Sequence, residues 1–366
     1  MSSVFGHSKI PLEDVQNATN NFADENLVGQ GGYMDVYKGQ LFRHGQMINI
    51  VARKLHRTYD EVFKGFWTYI SIVSSLRHQN LVDFIGYCDE NIEYIIVNKY
   101  EAKGSLDRYL SDPNLTWTQR LKICVGVARA LSYIHYDEAR DFSVVHRNIK
   151  SSKILLDDSW QPKLSGFELS LKCTNARRRS LILAPLAGSI GYVDPKYEVS
   201  GSVSHKSDVY SFGIVLFEIL CGTRAFISGE PQLSKQHSHE KKANEIVDPD
   251  LNKQMDDQTS STSTHTNEVT PKNVIFTMID FEYSRTAKQG LVFLADLAKS
   301  NYENRTLDDM IDRDLRRQMD PESYKVFSET AYCCLKDQRS QRPHIDQVLV
   351  ALENALEFQL KRESDI

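Results

Sequence analysis

Between residues 26 and 97 the chain runs in short β-branched and aromatic stretches, at 35–37, 47–52, 81–87 and 93–97, around one helical period at 62–76. Runs of that length build strands, and apolar recurrence at three and four residues builds an amphipathic helix, so this part predicts a small sheet carrying one helix. Past Gly104 the period lengthens, with helical repeats at 117–134, 208–220, 321–334 and 345–360, and the larger C-terminal part is expected to be mainly α-helical. A further helical stretch at 11–20, opened by Pro11, precedes the sheet. Residues 228–288 break the pattern: they are polar, hold a Ser/Thr tract at 259–266, and read as an insertion. Inside it, the run from Glu245 to Asp256 is similar to the run from Asp309 to Asp320, a partial internal duplication.

Composition narrows the class. With 25% charged and 41% hydrophobic residues and a net charge of -5, the 366-residue chain is an ordinary globular protein without the basicity that nucleic-acid binders carry. Nucleic acid is therefore not an expected partner. No apolar run reaches the ~18 residues that span a bilayer, and Met1-Ser2-Ser3 offers neither a signal peptide nor a myristoylation glycine, so a cytoplasmic chain is expected. Six scattered cysteines without metal spacing read as reduced, buried thiols.

Candidate chemistry begins at Gly29-Gln30-Gly31-Gly32-Tyr33-Met34, a glycine-rich turn after a predicted strand, where bare backbone N–H groups can approach phosphates. Val51-Ala52-Arg53-Lys54 follows as a strand that ends in a lysine, Lys54, about 23 residues beyond the loop, the spacing at which a kinase places its phosphate-pairing lysine. Downstream, His146-Arg147-Asn148-Ile149-Lys150-Ser151-Ser152-Lys153-Ile154-Leu155-Leu156-Asp157 has the length and order of a kinase catalytic loop. This run resembles the loop of plant receptor-like and Pelle-type protein kinases. So do the run from Asn80 to Cys88, Gly188-Ser189-Ile190-Gly191-Tyr192-Val193-Asp194-Pro195, and the run from Ser207 to Gly213. Within that group the chain is most similar to relatives of the malectin-domain receptor kinases.

The resemblance implies an α+β bilobal protein-kinase fold: an N-lobe at 26–98 with a small antiparallel sheet and helix C, after a lead at 1–25, and a larger helical C-lobe at 99–366. It places the phosphate-pairing lysine at Lys54 and the nucleotide pocket at Val28, Gly29, Gly31, Val36, Ala52 and Leu155. It also implies that the machinery is degenerate. Asn148 replaces the catalytic base beside Lys150, Lys153 replaces the magnesium-binding asparagine, and Gly166-Phe167-Glu168 stands for the Asp-Phe-Gly motif. Tyr69 falls where helix C presents a glutamate, leaving Lys54 without a charge partner; Met34, Asn98 and Lys196 are lesser departures. His146, Phe167 and Asp208 are assigned to internal packing, and Arg342 to a buried ion pair whose glutamate has become Lys196, with Glu198 as the substitute.

The resulting expectation is a pseudokinase acting as a scaffold or allosteric partner of active receptor-like kinases, cytoplasmic, and at the plasma membrane only through such a partner. Two alternatives stand beside it: a weakly active serine/threonine kinase using Glu168 or Asp157, and a decayed paralogue. Two readings of the cleft stand side by side, ATP held without magnesium by Lys54, Lys150 and Lys153, or an empty cleft closed by Tyr69, Met34 or Asn98; no metal is expected. Arg177-Arg178-Arg179 before Ser180 reads first as a solvated charge run and second as a phosphorylation signal.

Overall fold

Alternation in the N-terminal part resolves into a five-stranded antiparallel sheet in the order β1-β2-β3-β5-β4: β1 (Leu27–Gln30), β2 (Met34–Arg43), β3 (Gln46–Leu55), β4 (Phe84–Cys88) and β5 (Ile95–Lys99). The computed structural model describes residues 8–30, 34–43, 45–56, 60–174, 180–228 and 291–365. Gly31, Arg177 to Arg179, the duplicated run 245–256 and the expected insertion beyond Ser228 lie outside the described residues.

Each face of the sheet carries a helix. On one face, helix α1 (Leu12–Ala18) sets Leu12 and Val15, with Ile10, against Leu41, Ile50, Ala52, Ile95 and Val97. Glycines permit that approach: a Cβ at Gly39 would stand 2.3 Å from the Ala18 carbonyl oxygen, and one at Gly86 would stand 2.3 Å from that of Ser8. On the other face, helix α2 (Asp60–Val73) buries Phe66, Tyr69, Ile70 and Val73, the stripe its period predicts. Each such aliphatic or Phe side chain contributes about 1.5–3 kcal/mol on leaving water.

The C-terminal part is helical, as its periods predict. Its helices are α3 (Trp117–Tyr136), α4 (Pro195–Ser200), α5 (His205–Cys221), α6 (Leu294–Glu303), α7 (Arg313–Gln318), α8 (Pro321–Cys334) and α9 (Ile345–Ser364). Trp117 ties α3 to α8, its Nε1 donating to Ser323 Oγ at 3.1 Å and its ring meeting Phe327 edge-on at 4.8 Å. The antiparallel sheet and the helical part together form the expected α+β bilobal kinase architecture.

Short strands line the junction: β6 (Gly104–Ser105), β7 (Phe142–Val145), β8 (Ile154–Leu156), β9 (Pro162–Leu164) and β10 (Leu171–Thr174). Pairing of β7 with β10, and of β8 with β6 and β9, fixes the ends of two loops, 146–153 and 165–170. These loops carry the candidate chemistry.

Candidate functional site

Strand β3 decides which cation enters the cleft. Ala52 packs with Ile50, Ile95 and Val97 beneath α1, and side chains alternate, so Val51 and Arg53 point to the opposite face, toward α2. The Arg53 guanidinium lies 4.5 Å from the Tyr69 ring centroid, and its Nη1 donates to Glu168 Oε1 at 2.5 Å. Lys54 shares the face of Ala52: its Nζ sits 3.5 Å from Glu93 Oε2 and 4.5 Å from the centroid of the Phe22 ring. Lys54 and Ala52, expected in the cleft, thus lie on the α1 face, and Arg53 and Val51 take the face toward α2. A shift of one position in a strand moves a side chain to the other face. Two adjacent cations give no local signal of which faces inward; the apolar cover supplied by α1 settles it.

Other expected cleft residues divide in the same way. Val36 opposes Arg53, and Gly29 opposes Val36, so both lie on the Arg53 face. Val28 falls within the register shift between β1 and β2 and is exposed. Leu155 is half-buried in β8 opposite Ser105.

Helix α2 brings Tyr69 to the centre of the site. Its hydroxyl accepts a hydrogen bond from Asn98 Nδ2 at 2.8 Å, and burial pushes the phenol up to about 12, so it stays protonated at neutral pH. Tyr69 does not leave the inward cation unpaired; the carboxylate comes from Glu168, on the loop before β10. Burial alone would raise Glu168, but Arg53 and Lys153 outweigh it and hold the carboxyl at about 2. The group is ionised throughout the physiological range.

Glu168 gets there through Gly166, which takes a left-handed conformation at φ 91 and turns the chain into the short helical turn Phe167–Leu169. Phe167 then stacks edge-on against His146 at 4.7 Å and approaches Tyr69 at 6.5 Å. Burial pushes the His146 imidazole down to about 4, against the pull of Asp208. Neutral, with the proton on Nε2, it donates to the Ser165 carbonyl at 3.0 Å and accepts from the Asn148 N–H at 3.2 Å. Asp208 receives the His146 and Arg147 N–H groups at 2.7 and 2.8 Å, which fits the anchoring role assigned to it.

Both expected catalytic positions, Asn148 and Lys150, and the expected cofactor-binding Lys153 meet in the loop 146–153. Asn148 is buried, and its Oδ1 accepts from Ser189 Oγ at 2.9 Å. Lys150 leads into the turn Ser151–Lys153, and the Lys153 carbonyl accepts from both the N–H and the hydroxyl of Ser165, at 2.8 and 2.9 Å. Lys153 Cδ lies 2.8 Å from where a Cβ at Gly166 would stand, so the lysine's methylenes fill the space of any side chain there. Asp157, the second alternative carboxylate, closes the turn between β8 and β9 by accepting from the Ser159 and Gln161 N–H groups at 2.9 and 2.8 Å.

The expected buried ion pair exists with another partner. Arg342 Nη2 meets Asp194 Oδ1 at 2.8 Å, both side chains fully buried, while Arg339 Nε takes the other oxygen at 2.9 Å. Asp194, which also caps α4, is the carboxylate, and the expectation for Glu198 is corrected.

Residues 23–269 match the family model described as "Protein tyrosine and serine/threonine kinase". The chain belongs to the protein kinase family. It is 33% identical to the receptor-like protein kinase HERK 1 of Arabidopsis thaliana over 354 residues, 96% of this chain and 35% of that one. Identity is 32% to FERONIA and to ANXUR2 of the same plant, covering 96% of this chain in each case and 33% and 34% of theirs. The chain thus spans about a third of the length of these relatives.

A kinase cleft normally uses a divalent cation, and the residues here do not fit one. At the two liganding positions stand an ammonium, Lys153, which has no lone pair to give, and Gly166, which has no side chain and no room for one. The carboxylate of the Gly166-Phe167-Glu168 run, Glu168, stands where the motif has glycine and is committed to Arg53.

Proposed function

We propose that this protein is a catalytically silent member of the kinase family, a pseudokinase that serves a receptor-like kinase as scaffold or allosteric partner. The observation that carries the reading is the Lys153–Gly166 contact, which puts a cation and a bare backbone where phosphoryl transfer needs two metal ligands. Asn148 adds to it, because an amide orients a hydroxyl but takes no proton, forfeiting about 10²–10⁴ in rate. Glu168 and Asp157, the alternative bases, are held in an ion pair and a turn. The relatives are named receptor-like protein kinases, which supports signalling as the setting and a kinase of that class as the partner. Among the described residues no helix is long and apolar enough to cross a membrane.

The test is phosphate transfer from labelled ATP with magnesium or manganese, to a general protein substrate and to the chain itself. Wild type and Arg53→Met are expected to give the same background signal. Transfer by the wild type that Arg53→Met abolishes would establish an active kinase and end the proposal.

A further inference from the structure

The inward cation of β3 is an anion site that the chain itself fills. Arg53 donates Nη1 to Glu168, while its Nε and Nη2 are buried without a hydrogen-bond partner. A guanidinium is always charged and carries five donors in a planar fork suited to carboxylate and phosphate oxygens. Its position is fixed by the Tyr69 ring beneath it, and Tyr69 is fixed by Asn98. The Lys153 side chain crosses in front of Gly166, and its positive charge acts on Glu168. Two cations thus converge on one carboxylate in the place where a nucleotide's phosphates would enter.

We infer that Glu168 is a resident counter-anion that keeps nucleotide phosphates off Arg53 and at the same time clips β3 to the loop before β10. The ionised carboxylate repels an incoming polyphosphate and occupies one edge of the fork. Without it, Arg53 and Lys153 form a metal-free polyphosphate site. A charge-assisted hydrogen bond contributes about 1.5–3 kcal/mol, so freeing the fork corresponds to about ten- to hundredfold tighter binding. The inference rests on the reading of the cleft as catalytically silent.

The experiment measures thermal unfolding and equilibrium binding with ATP, tripolyphosphate or adenosine, each in excess chelator, because a ligand of the folded state raises its stability. Wild type, Glu168→Gln and Glu168→Gly are compared. Glu168→Gln keeps the size and the hydrogen bond of the carboxyl and carries the test should Glu168→Gly fail to fold, while the double variant Tyr69→Glu with Glu168→Gly returns a carboxylate to Arg53 from α2 as a control. ATP and tripolyphosphate are expected to bind the two single variants about ten- to hundredfold tighter than the wild type, with adenosine unchanged and the double variant no tighter than the wild type. Equal ATP binding by wild type and single variants, no polyphosphate binding by a folded single variant, an equal gain for adenosine, or an equal gain in the double variant would each overturn the inference. Phosphate transfer by the wild type would instead remove the reading beneath it, so the two failures are distinguishable.

Discussion

Arg342 and Asp194 form a fully buried ion pair at 2.8 Å, with the second carboxylate oxygen taken by Arg339. Removing one partner strands the other charge in the interior, which costs about 3–5 kcal/mol. Arg342→Ala and Asp194→Asn are expected to lower unfolding free energy by that order, whereas Glu198→Gln, at an exposed position, should stay within about 0.5 kcal/mol. Chemical denaturation of the three variants is the check; a large loss from Glu198→Gln would return the partner role to that residue.

The corrected orientation of β3 makes a second contrast. Arg53→Ala leaves Glu168 buried and ionised and should cost about 3–5 kcal/mol. Lys54→Ala removes a partly exposed pair with Glu93 and should cost about 1 kcal/mol or less. Denaturation midpoints with unchanged slopes measure both, and a reversed order would mean that Lys54 is the inward cation.

Two buried carboxyls give opposite pH signatures. Glu168 sits at about 2 when folded against an ordinary 4.5, so its contribution is present above about pH 4.5 and is lost as pH falls toward 2. Glu168→Gln should flatten the acid limb of the stability profile.

Glu101 is raised to about 7 by burial, only partly offset by Lys163 and Lys99 and reinforced by Asp83 and Asp157; both its carboxylate oxygens are buried without a hydrogen-bond partner. Its folded state holds the proton more tightly than the unfolded chain, so that stabilisation is complete below about pH 4.5 and fades as pH rises through 7. Glu101→Met is expected to gain about 1–3 kcal/mol over wild type on going from pH 5 to pH 8. Parallel profiles for the two proteins would refute the assignment.

Restoring a metal ligand should fail structurally before it fails chemically. Gly166→Asp must adopt φ 91 and displace the Lys153 methylenes, which costs about 1–3 kcal/mol. Asn148→Asp alone is expected to leave phosphate transfer at background, since neither liganding position has changed. Calorimetric unfolding and the labelled-ATP assay test the pair.

Much of this was legible in the chain. The positions of α1, α2, α3, α5, α8 and α9 followed from their periods, because a stripe of apolar residues at three- and four-residue spacing has only one way to be buried, whereas the short α4, α6 and α7 were not foreseen. The absence of a carboxylate base at Asn148 and of metal-ligand chemistry at Lys153 and Gly166 is a property of residue type and needs no coordinates. Which of Arg53 and Lys54 enters the cleft was not legible, because a strand has two faces and the cover over Ala52 comes from α1, remote in sequence. Nor could the chain alone pair Glu168 with Arg53, or Asp194 with Arg342, partners 115 and 148 residues apart. Residue type alone determined which side chains stand at the kinase motif positions, and only the tertiary packing decided which buried charges neutralise one another, since that depends on distance and not on order along the chain.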